Sequence, residues 1–339
     1  MSPKFMKLIL LAMILALQFH ELKCCVEEER VGLLQFKEFI ESEGYDADHL
    51  FPSWSGDPLS DCCSWERVTC NSSTGRVIQL SLNNTRKYAM EHIRYSYDSN
   101  WYVNLALFQP FVHLTTLDLS FNAIGGWIEN QGGFGSYLRL KKLETLDLSQ
   151  NKLNKSSLKQ LSALTSLKSL NLSGNNMGGA LFDNWEGRFQ RPRETIPVQD
   201  SRNLSKLKEL KYLYLSWNAM NKDSMKFLGS LPSLVYLDLS LNTLEGPLSG
   251  VELENLKNLK VLNLYWNYLN GTLPIQELMG FSSLEILDLS YNNLEGSIPP
   301  NIGNLSSLKA FSVARNLLAA SLPSGTSLYV STFLAFWLL

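Results

Sequence analysis

The stretch Leu284-Glu285-Ile286-Leu287-Asp288-Leu289-Ser290-Tyr291-Asn292, continuing as Asn293-Leu294-Glu295-Gly296-Ser297-Ile298-Pro299, decides the fold. Its apolar residues follow the frame L-x-x-L-x-L-x-x-N. The frame recurs upstream as Leu114-Leu117-Leu119-Asn122, Leu143-Leu146-Leu148-Asn151 and Leu167-Leu170-Leu172-Asn175. It returns as Leu210-Leu213-Leu215-Asn218, Leu234-Leu237-Leu239-Asn242 and Leu259-Leu262-Leu264-Asn267. A weaker copy is Leu308-Phe311-Val313-Asn316, and a degenerate first one, Val77-Leu80-Leu82, has Thr85 where the Asn belongs. The Asn-to-Asn steps are 29, 24, 43, 24, 25, 25 and 24 residues. Self-similarity at a period of 20–50 residues marks a solenoid.

Each position in the frame has a physical job. The paired leucines alternate along a short strand, so both point into the core. Burying each contributes roughly 1.5–3 kcal/mol. The Asn sits where the chain leaves the strand. Its amide donates and accepts, so it can satisfy backbone groups that the turn leaves unpaired inside. Stacked copies therefore predict an Asn ladder through Asn122, Asn151, Asn175, Asn218, Asn242, Asn267, Asn292 and Asn316. One repeat cannot bury its own apolar face, so neighbours must stack, and their strands line one parallel sheet.

The segment after the Asn adds a turn glycine and a helix-stopping proline. Asn267 opens N-Y-L-N-G-T-L-P and Asn292 opens N-N-L-E-G-S-I-P-P. This L-x-G-x-I-P pattern resembles the plant-type leucine-rich repeat. Upstream, Val26 to Lys37 reads V-E-E-E-R-V-G-L-L-Q-F-K, and Asp61 to Cys70 reads D-C-C-S-W-E-R-V-T-C. Leu33, Leu34, Phe36, Lys37 and Ile40 are spaced as in a helix. Both stretches, with Leu107 to Asn122, are similar to plant receptor-like proteins that lack a kinase. The expected fold is an α/β repeat, a curved leucine-rich-repeat solenoid with a disulfide-stapled helical N-terminal cap. The expected divisions are a signal peptide over 1–24, a cap over 25–76, repeats over 77–323 and an apolar tail over 324–339.

The ends and the cysteines point to export. Lys4 and Lys7 precede an uninterrupted apolar run, Leu8 to Leu17, in the pattern of a secretory signal, with cleavage expected just before Cys24 or Cys25. An exported chain meets an oxidising compartment, so disulfides are expected. The pairing read from the five cysteines is Cys25 with Cys62 and Cys63 with Cys70, leaving Cys24 lost or free. Zinc is the rival, against which no second Cys or His pair stands at ligand spacing. Seven sequons, at Asn71, Asn83, Asn154, Asn171, Asn203, Asn270 and Asn304, predict a glycosylated surface.

Two stretches exceed the repeat. One, near Phe182 to Arg202, carries Arg188, Arg191 and Arg193. The other, Lys87 to Leu105, is rich in Tyr and Trp. Such insertions become loops on one face. Alternation places the residues between the leucines on the inner face. In the early repeats these are Asp118, Ser120, Asp147 and Ser149. Later they turn aromatic, giving one expected ligand-binding stripe: Tyr212, Tyr214, Trp217, Tyr236, Tyr265, Trp266 and Tyr291. Tyr and Trp are enriched at binding hot spots. The Asp of L-D-L-S belongs to the repeat consensus and carries little functional weight.

A net charge of −2 with interspersed signs offers no case for nucleic acid. No G-x-S-x-G, Walker loop, H-E-x-x-H or kinase signature is present, so neither an enzyme nor a cofactor or metal is expected. The resemblance implies recognition of a peptide or protein ligand at the cell surface or outside the cell, signalling through partner kinases in defence or development. The alternatives are a secreted inhibitor resembling the polygalacturonase-inhibiting proteins, or a non-signalling truncated fragment. Family members carry more repeats, a cysteine-bearing end cap and a membrane span. Here the last apolar run, Ser327 to Leu339, is 13 residues, against about 20 for a spanning helix. Truncation, a glycolipid-anchor signal near Ser324 and Gly325, and an apolar cap on the last coil are the three readings of that end.

Overall fold

A computed structural model describes residues 25–85, 101–128, 140–178, 204–248 except 205, and 253–319 except 254 and 274. The expected signal peptide, the arginines of the 182–202 insertion, Tyr88, Tyr95, Tyr97, Asn203 and the apolar tail lie outside the described residues.

The chain enters through a helix, Glu27–Ser42. Glu27, Glu28 and Glu29 occupy its first turn, where negative charge meets the positive end of the helix dipole. Leu33, Phe36 and Ile40 form its buried stripe. Phe36 meets Phe51 edge-on, Phe51 stacks on Trp54 at 4.3 Å, and Trp54 stacks on Trp65 at 5.8 Å. Phe36 also touches Phe108 of the first coil, so cap and repeats share one core. Gly32 makes that approach possible, since a Cβ there would stand 2.8 Å from the Pro110 ring.

Two buried charged side chains of the cap, Lys37 and Glu29, have hydrogen-bond partners. The Lys37 ammonium donates to the carbonyls of Phe51 and Trp54 and pairs with Asp48 at 2.6 Å. The fully buried Glu29 accepts the Val77 N–H at 2.9 Å, with Arg76 3.6 Å away. Burial raises the Glu29 carboxyl above its ordinary pKa, against the opposing pull of Val77 and Arg76. Disulfides join Cys25 to Cys62 and Cys63 to Cys70, as the sequence predicted.

Among the described residues the main sheet has ten strands. Val68–Cys70 of the cap pairs antiparallel with Val77–Ser81 and closes that edge. The rest run parallel: Thr116–Asp118, Thr145–Asp147, Ser169–Asn171, Tyr212–Tyr214, Tyr236–Asp238, Val261–Asn263, Ile286–Asp288 and Ala310–Ser312. Their central residues align in one row, from Leu80 through Leu117, Leu146, Leu170, Leu213, Leu237, Leu262 and Leu287 to Phe311. Ser169 pairs directly with Tyr212, so the 43-residue step adds length to one coil and no strand to the sheet.

A second ladder forms after the turn, from Glu245–Gly246, Tyr268–Gly271, Asn293–Gly296 and Leu317–Leu318. The L-x-G motif supplies Gly246, Gly271 and Gly296, at φ +80°, +78° and +83°, where L side chains are strained.

The Asn ladder is present. Asn242 donates to the carbonyls of Leu239 at 3.0 Å and of Leu215, one coil back, at 2.9 Å. Its Oδ1 accepts the N–H groups of Asn218 and Met220. Thr85 keeps part of this role, donating its N–H and hydroxyl to Asn122 Oδ1, both at 2.8 Å.

Gly178 marks where the coil carrying the long step touches the next one. Its N–H bonds Asn218 O at 2.9 Å, and a Cβ would collide with the Ala219 carbonyl and stand 2.7 Å from Asn218 O. Both obstacles are backbone. Gly178→Ala is therefore expected to destabilise by about 1–3 kcal/mol in urea denaturation. An unchanged midpoint would show that this contact is not rigid.

Candidate functional site

The inner face follows from the frame, taking Leu284 as position one and Asn292 as position nine. Positions three and five flank the central leucine and share one face of the strand. Position three holds Thr116, Thr145, Ser169, Tyr212, Tyr236, Val261, Ile286 and Ala310. Position five holds Asp118, Asp147, Asn171, Tyr214, Asp238, Asn263, Asp288 and Ser312.

The position-five carboxylates and amides have a structural task. Asp118, Asp147, Asn171, Asp238, Asn263 and Asp288 each accept, through Oδ1, the N–H two residues on, at 2.8–3.1 Å. This Asx turn ends the strand. Tyr214 occupies the same position without an acceptor for that geometry. It departs from the rule that its neighbours obey.

Position eight was legible only in part. There Asn84, Phe121, Gln150, Trp217, Leu241, Trp266, Tyr291 and Arg315 all adopt φ between 52° and 57°, with Gly174 at 65°. From Asn84 to Tyr291 the N–H at this position bonds a carbonyl of the next coil, as Trp217 does to Ser240 and Trp266 to Ser290. A left-handed conformation costs a non-glycine residue roughly 1–3 kcal/mol. Yet Phe121, Trp217, Leu241, Trp266 and Tyr291 are large, and 39–49% exposed. Phe121 and Leu241 are absent from the sequence-predicted stripe. The place just before each ladder Asn was the signal that finds them.

The seven predicted aromatic residues thus stand at different positions in the frame. Tyr212, Tyr214 and Tyr236 lie at positions three and five of two adjacent strands, with Tyr214 and Tyr236 rings 4.9 Å apart. Trp266 and Tyr291 lie at position eight of consecutive coils and stack at 5.1 Å, nearly parallel. Tyr265, at position seven, meets the edge of Tyr291 at 5.1 Å. Trp217 shares the position-eight row, and Leu241 stands between it and Trp266. The ring contacts form two groups, one around Tyr214 and one around Trp266.

Ser120 and Ser149, expected to face outward, are instead buried. A short hydroxyl at the strand end is covered by the coils on either side. Asp118 and Asp147 are half-buried. Beside this face, position two carries ion pairs, Lys168 with Glu144 at 2.7 Å, and Glu285 between Lys260 and Lys309 at 2.7 and 2.6 Å, and the exposed Lys211. The hydrogen bonds from Lys260 and Lys309 hold the Glu285 carboxyl down at about 2. Burial pushes the Tyr214 hydroxyl up, with Tyr212 and Asp238 adding to it. Burial also raises Tyr236, aided by Asp238 and Tyr214.

Of the sequons, Asn270 and Asn304 are exposed, Asn71, Asn83 and Asn154 are half-buried, and Asn171 sits on the inner face. There Asn171 donates to Asp147 Oδ2 at 3.0 Å. Among the described residues no helix is long and apolar enough to cross a membrane.

Comparison with known proteins agrees with this architecture. Residues 26–71 match the leucine rich repeat N-terminal domain. Residues 112–126, 135–177 and 283–305 match leucine rich repeat families. Receptor-like protein 9a of Arabidopsis thaliana is 38% identical over 225 residues, which are 66% of this chain and 20% of that protein. Receptor-like protein 13 of the same plant is 34% identical over 259 residues, 71% of this chain and 23% of that protein. The chain thus spans about a fifth of the length of these relatives. Among solved structures, the Arabidopsis receptor kinase HAESA, in complex with the peptide hormone IDA and the co-receptor SERK1, is 25% identical with a TM-score of 0.58. That match covers 86% of this chain and 46% of HAESA. A plant ice-binding protein, 23% identical with a TM-score of 0.54, covers 89% of this chain and 91% of its own, and shows the same fold. By repeat and cap, the chain carries the N-terminal domain and the repeats of leucine-rich-repeat proteins, and it is similar to plant receptor-like proteins.

Proposed function

We propose that this chain is an extracellular recognition module that reads a protein or peptide ligand on the inner face of its repeats. One observation carries the reading. Large aromatic side chains stand exposed on that face where the fold asks for something else. Trp217, Trp266 and Tyr291 occupy left-handed positions, and Tyr214 displaces a turn-forming Asp or Asn. Packing of the core does not account for such placements, whereas contact with a ligand does. The relatives named receptor-like proteins and the likeness to HAESA, with its bound peptide hormone, support the same reading. Signalling in defence or development through partner kinases is part of the proposal.

Two disulfides and seven sequons support a place in the secretory pathway, on the outer face of the plasma membrane or secreted. The reading is of a binding protein and not of an enzyme. No group of three or more His, Cys, Asp or Glu among the described residues could hold a metal ion.

A random dodecapeptide library displayed on phage and selected on the immobilised glycoprotein tests the reading. Binding of the selected peptides should weaken at least tenfold in Trp217→Ala/Trp266→Ala, because central aromatic hot spots are worth about 2 kcal/mol or more each. Peptides that bind the double variant as well as the parent would place recognition elsewhere.

A further inference from the structure

From the square made by Tyr212, Tyr214, Tyr236 and Asp238, we infer a subsite for a cationic side chain, arginine or lysine, of a bound peptide. The inference rests on the recognition reading above and adds the chemistry of one ligand residue.

The square is set by the sheet register. Tyr212 pairs with Tyr236 and Tyr214 with Asp238, on neighbouring parallel strands. All four residues are at positions three and five, so their side chains leave the same face. Three corners carry aromatic rings, with Tyr214 and Tyr236 4.9 Å apart. The fourth carries a carboxylate. Ring faces attract cations, and a guanidinium also forms paired hydrogen bonds to a carboxylate.

The same square elsewhere on the sheet is built differently. One pair of coils back it consists of Thr145, Asp147, Ser169 and Asn171, and the Asn171 amide occupies Asp147 Oδ2. Asp238 uses Oδ1 for the Ser240 N–H. Among the described residues, Oδ2 of Asp238 accepts no hydrogen bond and no Lys or Arg pairs with it. The position-two lysines Lys168, Lys260 and Lys309 pair with Glu144 and Glu285, and neither they nor Lys211 form an ion pair with Asp238.

Tyr214 supplies the second argument. Asn at this position makes the Asx turn at Asn171 and Asn263. A ring there removes a turn bond and completes the aromatic wall around Asp238. A structural role would favour Asn or Asp.

The test uses the full glycoprotein with 13C-labelled tyrosines and two probes, N-acetyl-arginine amide and its neutral citrulline counterpart. Arginine amide should shift the ring signals of Tyr212, Tyr214 and Tyr236 saturably in the millimolar range, and citrulline amide should not. Affinity should fall at least fivefold in Asp238→Asn, which keeps the turn acceptor and removes only the charge. Tyr214→Asn should abolish the response while folding normally. Equal shifts with both probes, or unchanged affinity in Asp238→Asn, would overturn the subsite. The dodecapeptide selection separates the two ideas. Selected peptides that need Trp217 and Trp266, lack basic residues and ignore Asp238→Asn would sink the subsite and leave recognition standing. A charge-selective arginine response in a protein that selects no peptide would sink the recognition reading, and with it the subsite as part of a peptide site, while leaving a cation-binding square.

Discussion

Asn242→Ala should lower the stability of the folded chain by about 3 kcal/mol or more, since each buried polar group left unpaired costs roughly 1–3 kcal/mol. The Asn242 side chain is 3% exposed and bonds across two coils. Its amide donates to Leu215 O, Leu239 O and Ser240 O, and its Oδ1 accepts the N–H groups of Asn218 and Met220. Alanine removes all five bonds and leaves a small void. Asn242→Asp should be worse at neutral pH, because a buried carboxylate would face the three carbonyl oxygens of Leu215, Leu239 and Ser240 in place of the donating amide. Repeat proteins hold together through nearest-neighbour interfaces. Hydrogen exchange should therefore accelerate most in the coils carrying Asn218, Asn242 and Asn267, and least in the cap. A loss under 1 kcal/mol in urea denaturation, with uniform exchange, would refute this account of the ladder.

The second large effect is expected at the cap. The two disulfides close loops with sequence separations of 37 and 7 residues. In the chain-entropy model the larger loop contributes about 4 kcal/mol and the smaller about 2.5 kcal/mol. Cys25→Ser/Cys62→Ser should therefore destabilise more than Cys63→Ser/Cys70→Ser. The first pair also ties the start of the cap helix to Asp61, whose Oδ1 accepts the N–H groups of both Cys25 and Cys63. Loss of the helix would uncover the stack of Phe36, Phe51 and Trp54, with binding of a hydrophobic dye as the second readout. Equal midpoints for the two double variants would show that loop closure is not what these bonds supply.

Much of this molecule is legible in its sequence, for a definite reason. A leucine that must be buried every two residues, and an Asn that must satisfy the turn of every coil, leave a frame that survives all other variation. The central row from Leu80 to Phe311 and the ladder from Asn122 to Asn316 follow from that frame alone. The binding face was less legible. Alternation placed Tyr212, Tyr214 and Tyr236 on the inner face, but it does not report that the residue before each Asn turns left-handed. That turn goes with hydrogen bonds to the next coil at the positions from Asn84 to Tyr291, a relation between residues that are distant in sequence. Phe121 and Leu241 fall outside a stripe defined by Tyr and Trp, and what they share with Trp217, Trp266 and Tyr291 is a place in the frame. Ser120 and Ser149 were misplaced because alternation gives direction and not depth.

The pairing of Ser169 with Tyr212 has a metric consequence. The inner face is graduated like a ruler, one mark per strand at about 4.8 Å. The 43-residue step lengthens a coil without adding a mark. Asn171 and Asp238, on either side of the long step, are two marks apart, hence roughly 10 Å. Spacing along the face and variation in the long coil are thus independent. The spacing that a ligand meets along this face is set by the strand register, through the direct pairing of Ser169 with Tyr212.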